Sequence, residues 1–172
     1  MTPAQAPTRL LRNLFQRQGE GEEFVLTRRG SIRSAMASRT FVSEAHSVAA
    51  ARRFVQDLLE RAGADDFPAV LLTSELAANV VEHACTDFDI VVTIDDTVVR
   101  VEIHDGVAVT EAFRDLIANP PFAVEATSLR GRGLLFLGSS ATRFGLIDNG
   151  PDGKAIWFEI DRQPADRTTE GR

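Results

Sequence analysis

Residues 72–84 read LTSELAANVVEHA, and the spacing inside this stretch organises the reading of the whole chain. Glu75, Asn79 and His83 recur every four residues. On a helix each lies only ~40° round from the last, so the three form one polar stripe. Leu72, Leu76 and Val80 form an apolar stripe about 100° away, which is expected to face a core. A polar stripe at the margin of a buried face can line a cleft between helix and sheet. It can equally be an ordinary solvated helix face, and spacing alone does not choose between the two.

Phe67-Pro68 opens this helix, with Pro68 near the first helical position, where its missing N–H is no loss. Before it, Val48, Ala51, Val55, Leu58, Leu59 and Ala62 keep helical spacing until Gly63 stops the run. Ser43 is the expected N-cap of that earlier helix, with Glu44 favourable in its first turn and His46 at the third position. Arg39 to Val42 reads as a short strand, whereas Phe24 to Met36 is ambiguous because Arg28-Arg29-Gly30 interrupts an apolar start. Downstream, Asp89 to Ile94 and Val98 to His104 are β-branched runs flanking Asp95-Asp96-Thr97, a hairpin pattern. A short helix is expected over Glu111 to Ala118, ending before Asn119-Pro120-Pro121. A loop of small and polar residues follows, then a helix over Leu134 to Ser140. Arg143 to Asp148 and Lys154 to Ile160 read as a second hairpin around Asn149-Gly150-Pro151-Asp152-Gly153. Hairpins with clustered helices predict an α+β fold, a two-layer α/β sandwich with a mixed, mostly antiparallel sheet and helices on one face.

Composition narrows the function classes. The 172 residues are 44% hydrophobic and 26% charged, which suits one globular domain with tails. The domain is expected over residues 38–161. Residues 1–37 form an extension, largely disordered or used for partner docking, and residues 162–172 a polar tail. Within the extension, Leu10-Leu11 and Leu14-Phe15 among Arg9, Arg12 and Arg17 can form a short amphipathic turn. A single cysteine, Cys85, excludes an internal disulfide framework and reads as a small buried thiol. A formal charge of −6 argues against direct nucleic-acid binding. No run approaches the ~20 apolar residues of a membrane span, and no signal-peptide core is evident, so a cytoplasmic protein is expected. Zinc is disfavoured because His83-x-Cys85 is not a usual ligand pair and no second Cys exists. No Walker A spacing occurs, and Trp157 reads as core packing on the last strand.

The chemistry of the polar stripe is specific. An Asn carbonyl oxygen suits Mg²⁺, which keeps several waters beside substrate phosphates. A Glu one turn earlier can accept a proton from a hydroxyl or water attacking a γ-phosphate. The run Glu75-Leu-x-x-Asn79-x-x-x-His83-Ala84 resembles the N box of the GHKL (histidine-kinase-like) ATPases, in the form of bacterial anti-sigma-factor serine/threonine kinases. The resemblance implies a Bergerat-type ATP-binding fold, with ATP and Mg²⁺ as cofactors, Asn79 as the metal ligand and Glu75 as the general base. His83 would shape the end of the site.

Two further segments fit that pattern. His104-Asp105-Gly106 resembles the first glycine box, which makes Asp105 the acid that receives the adenine amino group and lets backbone approach at Gly106. Gly131-Arg132-Gly133-Leu134 resembles the second, where exposed N–H groups and a helix start favour phosphate oxygens. Residues 119–130 would then be a lid over ATP. Gly153-Lys154-Ala155 resembles the closing strand. Two positions depart from the family pattern: Val107 stands where a small residue is usual, and Ala155 lacks the usual threonine hydroxyl.

The resemblance implies a kinase that phosphorylates an anti-anti-sigma-factor-like protein or sequesters a sigma factor, and members of this family are often homodimers. Val107 and Ala155 motivate the alternative of an inactive partner-binding module that sequesters without phosphotransfer.

Overall fold

The computed structural model describes residues 27–29, 32–64, 67–119 and 132–162, with side chains at 35–64, 67–119 and 136–162. The amphipathic turn expected near Leu10 to Phe15 and the tail from Gln163 lie outside these residues. Six strands run β1 (Thr27–Arg29), β2 (Ile32–Phe41), β3 (Phe88–Ile94), β4 (Val98–Asp105), β5 (Arg143–Asp148) and β6 (Lys154–Asp161). Their order in the sheet is β1-β2-β3-β4-β6-β5. Every pairing among them is antiparallel, so the sheet expected as mixed has no parallel pair among the described strands. The helices are α1 (Ala45–Arg61), α2 (Phe67–Asn79), α3 (Glu111–Ala118) and α4 (Arg132–Ser140).

Burial follows the alternation of the strands. Val99, Val101 and Ile103 of β4 and Ile156, Phe158 and Ile160 of β6 are buried beneath the helices. Helix α2 lies across β4 and β6 and packs on α1 and α4, while α1 lies over β2 and β3. Aromatic rings join these layers: Phe41 of β2 stacks on Phe88 of β3 at 5.4 Å between centroids and meets Phe54 of α1 edge-on at 6.0 Å. Gly63, at φ 62°, turns the chain out of α1, the left-handed conformation that glycine adopts without cost.

Three local expectations are corrected. The strand read as Arg39 to Val42 begins at Ile32, because Ala35 to Phe41 pair residue by residue with Ile94 to Phe88. The N-cap of α1 is Glu44, whose side chain makes no capping bond. Ser43 instead donates its backbone N–H to Asp87 Oδ1 at 3.1 Å, tying the helix entrance to the start of β3. Cys85 is exposed rather than buried.

The sheet face away from the helices carries its own cover. Trp157 is half-buried there rather than in the core; a Cβ at Gly145 would lie 2.8 Å from its indole, so only glycine lets the ring lie across β5. The Arg100 guanidinium sits 4.2 Å above that ring and donates to Glu102 Oε1 and Glu159 Oε1, both at 2.8 Å. His104 Nε2 lies 3.0 Å from Glu102 Oε2, and Arg143 Nε donates to Glu159 Oε2 at 2.6 Å. Burial works to raise the Glu102 carboxyl, but the hydrogen bonds from His104 and Arg100 outweigh it and hold it below its ordinary value. Glu159 is also lowered: burial opposes, and bonds from Arg143 and Arg100 prevail.

A carboxyl depressed in the folded state stabilises the fold above its unfolded value and loses that contribution as pH falls through the folded value. Stability is therefore expected to fall as the pH drops below the ordinary glutamate value of 4.5. Urea denaturation from about pH 7 to pH 3 should show a shallower acid loss in Glu102→Gln/Glu159→Gln than in the unaltered protein.

Candidate functional site

Helix α2 places the polar stripe. Leu72, Leu76 and Val80 are 0%, 1% and 5% exposed, so the apolar stripe is the buried face. Thr73 and Ser74 close their hydroxyls onto the carbonyls of Ala69 and Val70, at 2.8 and 3.0 Å, which satisfies them inside the packed helix. Glu75 and Asn79 are half-buried. They sit at the margin of the core rather than on a fully solvated face, the position a cleft lining requires.

The third member of the stripe departs from the expected geometry. The helix read as continuous to Ala84 is α-helical only to Asn79, and Val80–Ala84 form a π turn. Cys85 donates its N–H to the Val80 carbonyl at 2.9 Å and leaves the turn at φ 53°. The five-residue bond widens the helix over Val80–Ala84, the turn that holds His83. His83 is exposed. Such wide turns are frequent at functional sites, and this one begins directly after Asn79.

The second part of the site lies at the end of β4. Asp105 is buried, and its Oδ1 accepts from the Val107 N–H at 2.9 Å and from Lys154 Nζ at 2.8 Å. Lys154 opens β6 and is the direct cross-strand partner of Asp105. Their approach depends on Gly153: at φ 108°, a Cβ there would collide with the Asp105 carbonyl oxygen. Gly106, which is exposed, donates its N–H to Thr86 Oγ1 at 3.1 Å. That bond ties the Asp105 loop to the segment leaving the π turn.

Both departures in the sequence acquire a structural meaning. Val107 meets Asp105 through its backbone, and the residue is 37% exposed. Ala155 pairs with His104, so alternation puts it on the sheet face opposite Asp105 and Lys154. The closing-strand residue that shares a face with Asp105 is Lys154. Sequence reading missed Lys154 and Thr86 as site residues. The Gly-Lys pair was the visible signal, but only the register shows which carboxylate the lysine meets.

Of the glycine-box residues, Arg132, Gly133 and Leu134 are the first three of α4, two residues earlier than the expected helix start. Gly131 and residues 120–130 lie outside the described residues. Helix α4 packs on α2, which brings the second glycine box and the polar stripe onto neighbouring elements. Among the described residues no group of three His, Cys, Asp or Glu side chains could hold a metal ion.

The match with known families agrees with this geometry. The profile of the histidine kinase-like ATPase domain matches residues 41–160, well over half of the chain. The chain belongs to the histidine kinase-like ATPase family. No curated protein matches it. The histidine kinase-like ATPase domain is an ATP-binding unit, and its α+β architecture is the one observed, an antiparallel sheet covered by helices. Membership implies Mg²⁺ beside ATP. Among the described residues no helix is long and apolar enough to cross a membrane.

The close approach at Gly153 gives a direct test of how the site is held. Gly153→Ala is expected to lower stability by about 2 kcal/mol or more, because the backbone conformation and the Asp105 carbonyl both oppose a side chain. The midpoint of urea denaturation should fall, and ATP affinity with it.

Proposed function

We propose that this domain is an ATP-dependent serine/threonine protein kinase of the anti-sigma-factor type, acting on a protein partner in the cytoplasm. The observation that carries the reading is the half-buried pair Glu75 and Asn79, one helical turn apart beside a fully buried apolar stripe. Asn79 offers a neutral amide oxygen to the metal. Bound Mg²⁺ supplies charge neutralisation at the phosphate oxygens. Glu75, one turn earlier, would take the proton from a partner hydroxyl as that hydroxyl attacks the γ-phosphorus and the bond to the β-phosphate oxygen breaks, releasing ADP. Asp105 accepts from the adenine amino group, and the N–H groups at the start of α4 face phosphate oxygens. The resemblance in the N box supports an anti-anti-sigma-factor-like substrate, a sigma factor as second partner, and a homodimer.

Sequestration without phosphotransfer was motivated by Val107 and Ala155. Val107 meets Asp105 through its backbone N–H, and Ala155 lies on the sheet face opposite Asp105, so the reading with turnover is preferred.

Transfer of label from γ-labelled ATP to an anti-anti-sigma-factor-like protein is the decisive measurement. Glu75→Ala is expected to lose transfer while keeping nucleotide binding; full transfer in that variant would remove Glu75 as the base. Mg·ATP at a hundredfold above its dissociation constant should raise the melting temperature by roughly 5 to 11 °C. Asn79→Ala should abolish that rise.

A further inference from the structure

We propose that Lys154 reads the nucleobase together with Asp105, donating to N1 of adenine while Asp105 accepts from the exocyclic amino group. This rests on the reading of Asp105 as the adenine acceptor and adds a second base-reading residue.

The geometry is specific. The Lys154 and Asp105 side chains are 9% and 4% exposed and meet at 2.8 Å, and both bond to the backbone of the exposed Val107. Both donors to the carboxylate, Lys154 Nζ and the Val107 N–H, land on Oδ1. Among the described residues that leaves Oδ2 as the acceptor for a ligand's N–H. An ammonium has three donors and no acceptor. One goes to Asp105 and a second to the Val107 carbonyl at 3.3 Å. Phe113 of α3 packs its ring 5.1 Å from Nζ and walls the lysine in on that side. An acceptor and a donor therefore stand side by side at the end of β4.

That pattern complements one purine edge. Adenine presents an amino donor at C6 next to an acceptor at N1, so the amino group meets Oδ2 and N1 meets the third lysine donor. Guanine reverses the order, with an acceptor at C6 and a donor at N1. The carboxylate is fixed by two donors on Oδ1 and cannot exchange places with the lysine without breaking both bonds. The pair thus selects adenine by the order of its groups and not by charge, which is balanced across the pair.

The test compares ATP with 1-deaza-ATP, in which N1 is replaced by C–H, by equilibrium binding to the unaltered protein and to Lys154→Met. The unaltered protein is expected to bind ATP about tenfold or more tightly than 1-deaza-ATP, the scale of one hydrogen bond from a charged donor. Lys154→Met should bring the two affinities together, whatever its own stability, because the comparison is between ligands on one protein. Lys154→Arg, which keeps a charged donor, should retain part of the preference. Equal affinities in the unaltered protein, or an undiminished preference in Lys154→Met, would overturn the proposal. Asp105→Asn separates the two layers: unchanged ATP affinity there removes the adenine role of Asp105 itself, and with it that of Lys154. Because every readout is binding, absence of phosphotransfer leaves this test intact.

Discussion

The burial of one face of α2 against β4 and β6 is the constraint on which the rest of the molecule depends. Leu72, Leu76 and Val80 are almost wholly removed from solvent, each contributing roughly 1.5 to 3 kcal/mol. A helix anchored along three successive turns cannot rotate about its axis. Its neighbouring stripe is therefore held at the margin of the core, which fixes the place of Glu75 and Asn79. The π turn sets the limit of this control. The helix widens after Asn79; Val80, the first residue of that turn, is still buried, whereas His83 is exposed.

The two faces of the sheet are finished by different means. Beneath the helices the strands present Val, Ile and Phe to a shared core, with Phe41, Phe54 and Phe88 joining β2, α1 and β3. On the other face, one tryptophan lies over a glycine, and a chain of Arg and Glu side chains closes around it. Glu102 is buried on that face because Arg100 and His104 bond to it. Among the described residues, charge pairing covers that face where no helix does. It leaves the helical face alone to build the ligand site.

At the end of β4 the same economy of position recurs. Gly153 allows β6 to begin against the Asp105 carbonyl, and that contact sets the register that brings Lys154 to the Asp105 carboxylate. Thr86 holds the adjoining loop to the segment leaving the α2 helix. The two halves of the candidate site, the polar stripe and the buried ion pair, are thereby linked through three residues of connecting chain, Cys85, Thr86 and Asp87, rather than through a separate scaffold.

Much of this was legible in the linear pattern, because it depends on neighbours in sequence. Hydrophobic spacing located α1 and α2, β-branched runs around Asp95-Asp96-Thr97 located β3 and β4, and Glu111 to Ala118 matched α3 at both ends. The same local logic put Glu75 and Asn79 on one stripe. Other features required the tertiary structure. The first seven residues of β2 are strand because β1 and β3 offer them hydrogen-bonding partners, a fact absent from their own mixed polar composition. The π turn, the exposure of Cys85 and His83, and the capping of α1 without Ser43 depend on how the chain must leave one element to reach the next. Asp105 and Lys154 are separated by forty-nine positions, and only strand register decides that they share a face while Ala155 does not. Sequence determines which residues alternate; the partner strand determines what each one meets.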